Sequence, residues 1–381
     1  MKRKKFAILL YTAMVLNSLQ AQVTVFDTIQ SGGIPRDFRL YIPPSYDGIE
    51  AVPLLLNLHG YSSDSFGESV YANFNPIADT AGFITVLPNG TLDGLGLRYW
   101  NCFNAPGTGV DDVAFISDLI DSISAEYNID PNRIYSTGMS NGGFMSYTLA
   151  GELSNKIAAI ASVAGTIDVM RFPFIHPART VPVMEIHGDA DPTVPYNGSI
   201  EFLPVDTVLQ FWINNNHCDP TPAFSEVPDL VTTDNCTAEH YVWSNGWNNS
   251  SVELYKIIGG EHTWPGSAIT FLGVTNQDFI ACKEIWRFLS QYRLDELTAV
   301  APVPEPAIAI TIVPNPAQEY ILVEMNINAP VAISIFNMEG KCILRTSDQK
   351  IDIQTWPNGN YFIKAIGSQF ESAAIFTKTG E

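Results

Sequence analysis

Short, nearly unbroken apolar runs alternate with segments of helical period along the first three quarters of this chain, and the runs end on glycine or turn-forming residues. A run of this kind has no polar face. It therefore suits a strand covered on both sides, as in a mainly parallel sheet flanked by helices. The runs are 53–58, 83–87, 133–137, 158–164, 181–187 and 252–258. Between Asp111 and Tyr127, the residues Val113, Ile116, Leu119, Ile120 and Ile123 recur at helical spacing, with Asp111 or Asp112 placed to cap the helix. Of the 381 residues 46% are hydrophobic and only 16% charged, enough to fill a large core, and the length predicts about two domains.

The ends of the chain read differently. Residues 1–21 carry a basic cluster, Lys2 to Lys5, then an apolar run and a small residue at position 21, the layout of a secretory signal peptide. The run is too short for a membrane anchor, and no later stretch reaches the roughly 20 apolar residues of a transmembrane helix. Loss of that leader takes the net charge from −20 to about −24, which argues against nucleic acid and anionic membranes as partners. After residue 294 a proline-rich stretch, 295–309, reads as a linker. Strand-like runs at 320–325, 331–336, 342–344 and 360–366 follow, separated by turns, and predict a small antiparallel β-sandwich over 310–381. All six histidines lie at or before residue 262, so catalysis is expected upstream of this module.

Five cysteines are present and no CxxC pair, so a zinc site is not expected. Cys218 and Cys236 flank an acidic, proline-containing stretch without helical period, which reads as a surface excursion. In an exported protein a disulfide between them would stabilise by about 3 kcal/mol.

The chemistry-bearing pattern is Gly138-Met-Ser140-Asn-Gly142, set directly after a strand candidate and before a helix-capable segment. On such a turn the serine hydroxyl is exposed, and the flanking glycines remove side chains that would block it. A serine needs a base to become nucleophilic. In the α/β-hydrolase arrangement the acid and then the histidine follow the serine along the chain. His262, in a glycine-preceded loop after the last core strand, is placed best among the five histidines beyond Ser140. The acid should leave the strand at 181–187, which offers Asp189 and Asp191, and spacing does not choose between them. Backbone N–H groups of Asn141 and Tyr61 are placed to form an oxyanion hole.

The motifs LHGYSSD, YWNCFNAPGTGVDDVAFI, IYSTGMSNGGFMS, IHGDADPTVPY and GGEHTWPG together resemble the secreted polyhydroxybutyrate-depolymerase and feruloyl-esterase group, related to carbohydrate esterase family one, across about residues 38–292. The resemblance implies an α/β-hydrolase fold and selects Asp191 as the acid beside Ser140 and His262. Two positions depart from the group: Glu261 stands where a further glycine is usual, and Tyr61 where many relatives have cysteine. The tail from about residue 310, with IVPNPAQEY and PNGNYFIKA, resembles the sorting domain of the type nine secretion system. That implies passage through the periplasm to the cell surface or medium, with the secretion machinery as a partner.

The expected activity is hydrolysis of a carboxylic ester through an acyl-enzyme, without metal or organic cofactor. Feruloyl or acetyl esters of plant polysaccharide are the expected substrates, with Trp100 and Trp264 as stacking platforms for a phenolic or sugar ring. Hydroxybutyrate oligomers come second. Two rivals are a serine peptidase of the prolyl-oligopeptidase type, which would carry a large gating domain, and a catalytically silent surface binding protein.

Overall fold

The computed structural model describes residues 23–103, 109–297, 310–325, 332–337, 341–367 and 370–380. The expected signal peptide, 1–21, lies outside these residues, as does most of the expected linker. The chain divides into two compact units, 1–299 and 300–381.

The first unit opens with a hairpin of β1 (Val23–Ser31) and β2 (Ile34–Ile42), followed by β3 (Val52–Leu58), α1 (Ser65–Tyr71), α2 (Asn75–Ala81) and β4 (Ile84–Pro88). A two-residue ladder, β5 (Thr91–Leu92) and β6 (Arg98–Tyr99), leads to α3 (Asp112–Glu126), β7 (Ile129–Met139), α4 (Asn141–Glu152), β8 (Ala159–Val163) and β9 (Val183–Gly188). Then come α5 (Val205–Asn216), β10 (Ala223–Val227), β11 (Thr237–Trp243), β12 (Val252–Ile258), α6 (Ala281–Leu289) and the short α7 (Leu294–Leu297). Residues 295–297, expected to open the linker, are therefore helical.

Ten strands join in the order β1-β2-β4-β3-β7-β8-β9-β12-β11-β10. The central pairs, from β4 through β12, are parallel, and antiparallel strands close both edges. This is the α/β-hydrolase fold. Because side chains alternate across a strand, Leu54, Leu56 and Leu58 of β3 enter one core with α3, α4 and α5, while Leu55 enters another with α2 and α6. Each apolar run is thus consumed by two cores at once. Helix α3 starts where its spacing predicts, with Asp111 accepting the amide hydrogen of Ala114 at 2.8 Å. Among the described residues no helix is long and apolar enough to cross a membrane.

The stretch after Cys218 lies on the surface, as expected, and includes β10, an exposed edge strand paired with β11. One expectation needs correction. Cys218 and Cys236 are not bonded to each other. Cys218 follows α5 and packs into one core, 3.8 Å from the Ser250 carbonyl oxygen, whereas Cys236 packs into the core on the other face, 3.8 Å from Asn276 Nδ2. Thiols on opposite faces of a sheet do not meet the Cα separation of a disulfide.

The second unit holds β13 (Ile310–Val313), β14 (Tyr320–Met325), β15 (Ala332–Asn337), β16 (Cys342–Thr346), β17 (Lys350–Asp352), β18 (Gly359–Gly367) and β19 (Phe370–Lys378). They form two antiparallel sheets, β13-β14-β17 and β16-β15-β18-β19, around a shared core that includes Ile321, Ile335, Ile363 and Phe376.

Peptide mapping of denatured, unreduced protein is expected to find both Cys218 and Cys236 free to alkylate. A crosslinked Cys218–Cys236 peptide would contradict the placement of the two thiols.

Candidate active site

Ser140 sits between the end of β7 and the start of α4 with φ 53° and ψ −118°, a region that L side chains rarely adopt. Its amide donates to the Val163 carbonyl of β8 at 2.8 Å, and its own carbonyl accepts the Phe144 amide at 3.0 Å. The two flanking glycines make this geometry possible. A Cβ on Gly142 would stand 2.0 Å from the Leu58 carbonyl oxygen, and one on Gly138 would stand 2.5 Å from the same atom. The serine turn is pressed directly against the end of β3.

Asn141 fixes the turn from the other side. Its side-chain oxygen accepts the Trp100 amide hydrogen at 2.6 Å, and its Nδ2 donates to the Trp100 carbonyl at 3.1 Å. The Trp100 indole N–H in turn donates to the His59 carbonyl at 2.9 Å. His59 Nε2 accepts the Gly90 amide hydrogen, so Nδ1 carries the ring proton and donates to the Gly60 carbonyl at 2.8 Å. Burial lowers the His59 pKa to about 4, which keeps the ring neutral and this pattern intact. Gly60 follows, its Cα face close enough that a Cβ would lie 3.6 Å from Ser140 Cβ. The Gly60–Tyr61 loop and the serine turn are therefore parts of one braced assembly.

Asp191 leaves the turn after β9. One carboxylate oxygen accepts the amides of Thr193 and Val194 at 2.7 and 2.8 Å, and the other is 2.6 Å from His262 Nδ1. Asp189 points elsewhere, accepting the Gly259 amide at 2.7 Å. Glu261, beside the histidine, turns its carboxylate to the Val274 amide at 2.9 Å. Behind Asp191, buried His187 has Nε2 3.5 Å from the oxygen that His262 holds. Both ring nitrogens of His187 face acceptors, Glu185 Oε1 and the Val194 carbonyl, each at 2.8 Å. Burial works against its charge, but the bond to Glu185 outweighs it and holds His187 above the usual imidazole range. Tyr147 donates to the remaining Glu185 oxygen at 2.8 Å.

Ser140 and His262 open on one cleft of about 310 Å³, lined also by Gly60, Tyr61, Glu68, Tyr71 and the apolar Ile269, Phe271 and Leu272. Comparison with known proteins fits this geometry: residues 36–199, which include β3, the serine turn and Asp191, match the family described as Esterase PHB depolymerase. Residues 311–374 match the Secretion system C-terminal sorting domain, which marks the chain for export to the cell surface or beyond.

The esterase region has several relatives. A bifunctional acetylxylan esterase/xylanase of Neocallimastix patriciarum is 29% identical over 272 residues, covering 71% of this chain and 36% of the relative. Feruloyl esterase B of Piromyces equi is 28% identical over 231 residues, covering 58% of this chain and 41% of the relative. Feruloyl esterase C of Emericella nidulans is 28% identical over 246 residues, covering 60% and 82%. The chain thus spans only about two-fifths of the length of the first two.

The structure brings Ser140, Asp191, His262, Tyr61 and Asn141 together in the first unit, but it does not make platforms of the two tryptophans. Trp100 and Trp264 are 0% and 1% exposed. Trp100 is the brace described above. Trp264 lies edge-on to Phe74, 6.3 Å between ring centres, and its amide donates to the Tyr71 hydroxyl at 3.0 Å. Their indole faces are taken up by packing and are closed to a substrate ring. The exposed apolar surface of the cleft is instead Phe271 and Leu272, 85% and 57% exposed. These two and Glu68 left no signal in the sequence, because a single acid in a short helix reads as a solvated face and a loop of mixed residues has no period, whereas His187, set aside there as a base, stands behind Asp191.

Gly142→Ala is expected to destabilise the protein by about 1–3 kcal/mol or to prevent folding, because the methyl meets backbone that does not yield. Gly94→Ala, in open space, should stay within about 0.5 kcal/mol of the unaltered protein. Urea unfolding midpoints check the pair.

Proposed function

We propose that this chain is an exported serine carboxylic-ester hydrolase in which Ser140, His262 and Asp191 form the catalytic triad. The observation that carries the reading is the 2.6 Å bond between His262 Nδ1 and Asp191, made beside a serine held at positive φ in the same cleft. With Nδ1 committed to Asp191, His262 Nε2 is left to take the Ser140 proton as the hydroxyl attacks the ester carbonyl. The oxyanion that forms is met by the amides of Tyr61 and Asn141, the latter at the N-terminus of the twelve-residue α4, where the helix dipole adds to its pull. Collapse of the tetrahedral species expels the alcohol with the proton from His262. Water then repeats the sequence on the acyl-enzyme.

Feruloyl or acetyl esters of plant polysaccharide are the proposed substrates. Support comes from the acetylxylan and feruloyl esterases among the relatives and from the apolar wall of Ile269, Phe271 and Leu272, which suits a planar acyl group. The description of the matching family favours a second reading, oligomers of hydroxybutyrate.

Ser140→Ala is expected to lower kcat on p-nitrophenyl acetate by about 10⁴-fold or more while the protein stays folded. A residual rate above a tenth of the original would remove Ser140 from the nucleophile role. Asp191→Asn should be severe and Asp189→Asn mild, since only the former holds the histidine. The opposite ranking in the same assay would reassign the acid.

A further inference from the structure

One acid in the cleft has no part in the triad chemistry. Glu68 lies on α1, one turn before Tyr71, and both residues line the cleft that Ser140 and His262 share. Glu68 is 1% exposed, and its Oε1 has no hydrogen-bond partner. An orphaned buried carboxyl is destabilising, because it has given up water without receiving a bond in return. Burial raises its pKa to about 8, so at neutral pH the group is mainly a carboxylic acid, with one O–H to donate and an oxygen to accept. A hydroxyl group, which also donates and accepts, matches it.

The surroundings sharpen the match. Tyr71 accepts the Trp264 amide hydrogen on its hydroxyl oxygen and keeps its own proton to donate. Ile269, Phe271 and Leu272 supply apolar wall to the same cleft. The cleft therefore combines apolar surface with an unsatisfied polar point beside the nucleophile.

Resting on the reading of this cleft as an ester-hydrolase site, we infer that Glu68 determines specificity: its carboxyl receives a hydroxyl carried by the acyl group, so esters of hydroxylated acids react in preference to their unsubstituted counterparts. An acyl group without the hydroxyl fills the cleft and leaves the carboxyl unpaired, the situation in which a polar site rejects an isosteric competitor. Two kinds of acid carry the required group, a phenolic acid and a hydroxyalkanoic acid. They share the chemistry and differ in shape.

The test compares kcat/KM for methyl p-coumarate with methyl cinnamate, and for ethyl 3-hydroxybutanoate with ethyl butanoate, using the full chain and its Glu68→Gln and Glu68→Met forms. The expected result is a preference of about tenfold or more for the hydroxylated member of at least one pair, falling to within about threefold in Glu68→Met. Glu68→Gln, which keeps a donor and an acceptor, should retain most of it. Preference in the first pair identifies a phenolic acyl group, and preference in the second a hydroxyalkanoyl group. Parity in both pairs, or a preference that survives Glu68→Met, overturns the role. Removal of an unpaired buried carboxyl should leave the melting temperature of Glu68→Met equal or higher, so lost discrimination would not be due to unfolding. A lower melting temperature would show that the carboxyl has a structural partner and would overturn the premise. Turnover of p-nitrophenyl acetate by the unaltered protein stands apart. Its absence would sink the ester-hydrolase reading itself, whereas turnover without a hydroxyl preference would sink only the role of Glu68.

Discussion

The contact between the serine turn and the end of β3 is the constraint on which the site depends. Gly138 and Gly142 both abut the Leu58 carbonyl, at distances that admit no Cβ. Only this approach lets a strand turn into a helix so sharply that Ser140 is left at positive φ with its hydroxyl in the cleft. Such a conformation persists only where its surroundings over-determine it. Here α4 is buried from Asn141 through Gly151, and the Asn141 amide locks onto Trp100. That tryptophan reaches the His59 carbonyl, which ties the loop bearing Tyr61 to the same frame. In the proposed mechanism, donors held in this frame would need no rearrangement when charge develops on a substrate.

Burial of charged and polar groups is the second organising fact. Asp191 stands between two imidazoles, with His262 on the cleft side and His187 behind it. His187 is neutralised in turn by Glu185, which Tyr147 also bonds. Each member of this series has its partners, as a buried polar network requires to be stabilising. Glu68 is the contrast, a buried acid without a partner on Oε1. A group that lowers stability in the free protein gains its value when a ligand completes its bonding, and its position in the cleft wall gives it that opportunity.

The sequence made the parallel core legible because strands buried on both faces leave long apolar runs, and β3, β7, β9 and β12 lie where those runs do. The serine turn was legible for a related reason: only glycine fits against Leu58, so the spacing of Gly138 and Gly142 records the contact. The edges were not. In β1 most side chains are exposed, and β10 crosses an acidic, proline-flanked stretch with no apolar face, so neither left a periodic signal. The tryptophans misled because an indole in a loop at the sheet's carboxyl edge has the same letters whether it faces solvent or braces a backbone. The cysteine pair misled because closeness in sequence does not reveal that a sheet lies between the two thiols. Glu68 left no trace, since most of the residues with which it lines the cleft, among them Ser140, His262 and the loop at 269–272, are distant in sequence.

The claim that the strained serine is the nucleophile is tested most directly by covalent trapping with a p-nitrophenyl phosphonate ester, which mimics the tetrahedral species and stays on the attacking oxygen. Release of one equivalent of p-nitrophenolate, with the adduct mapped by mass spectrometry to the peptide bearing Ser140, is the predicted result. An adduct on any other residue, or no adduct in folded protein, would contradict it.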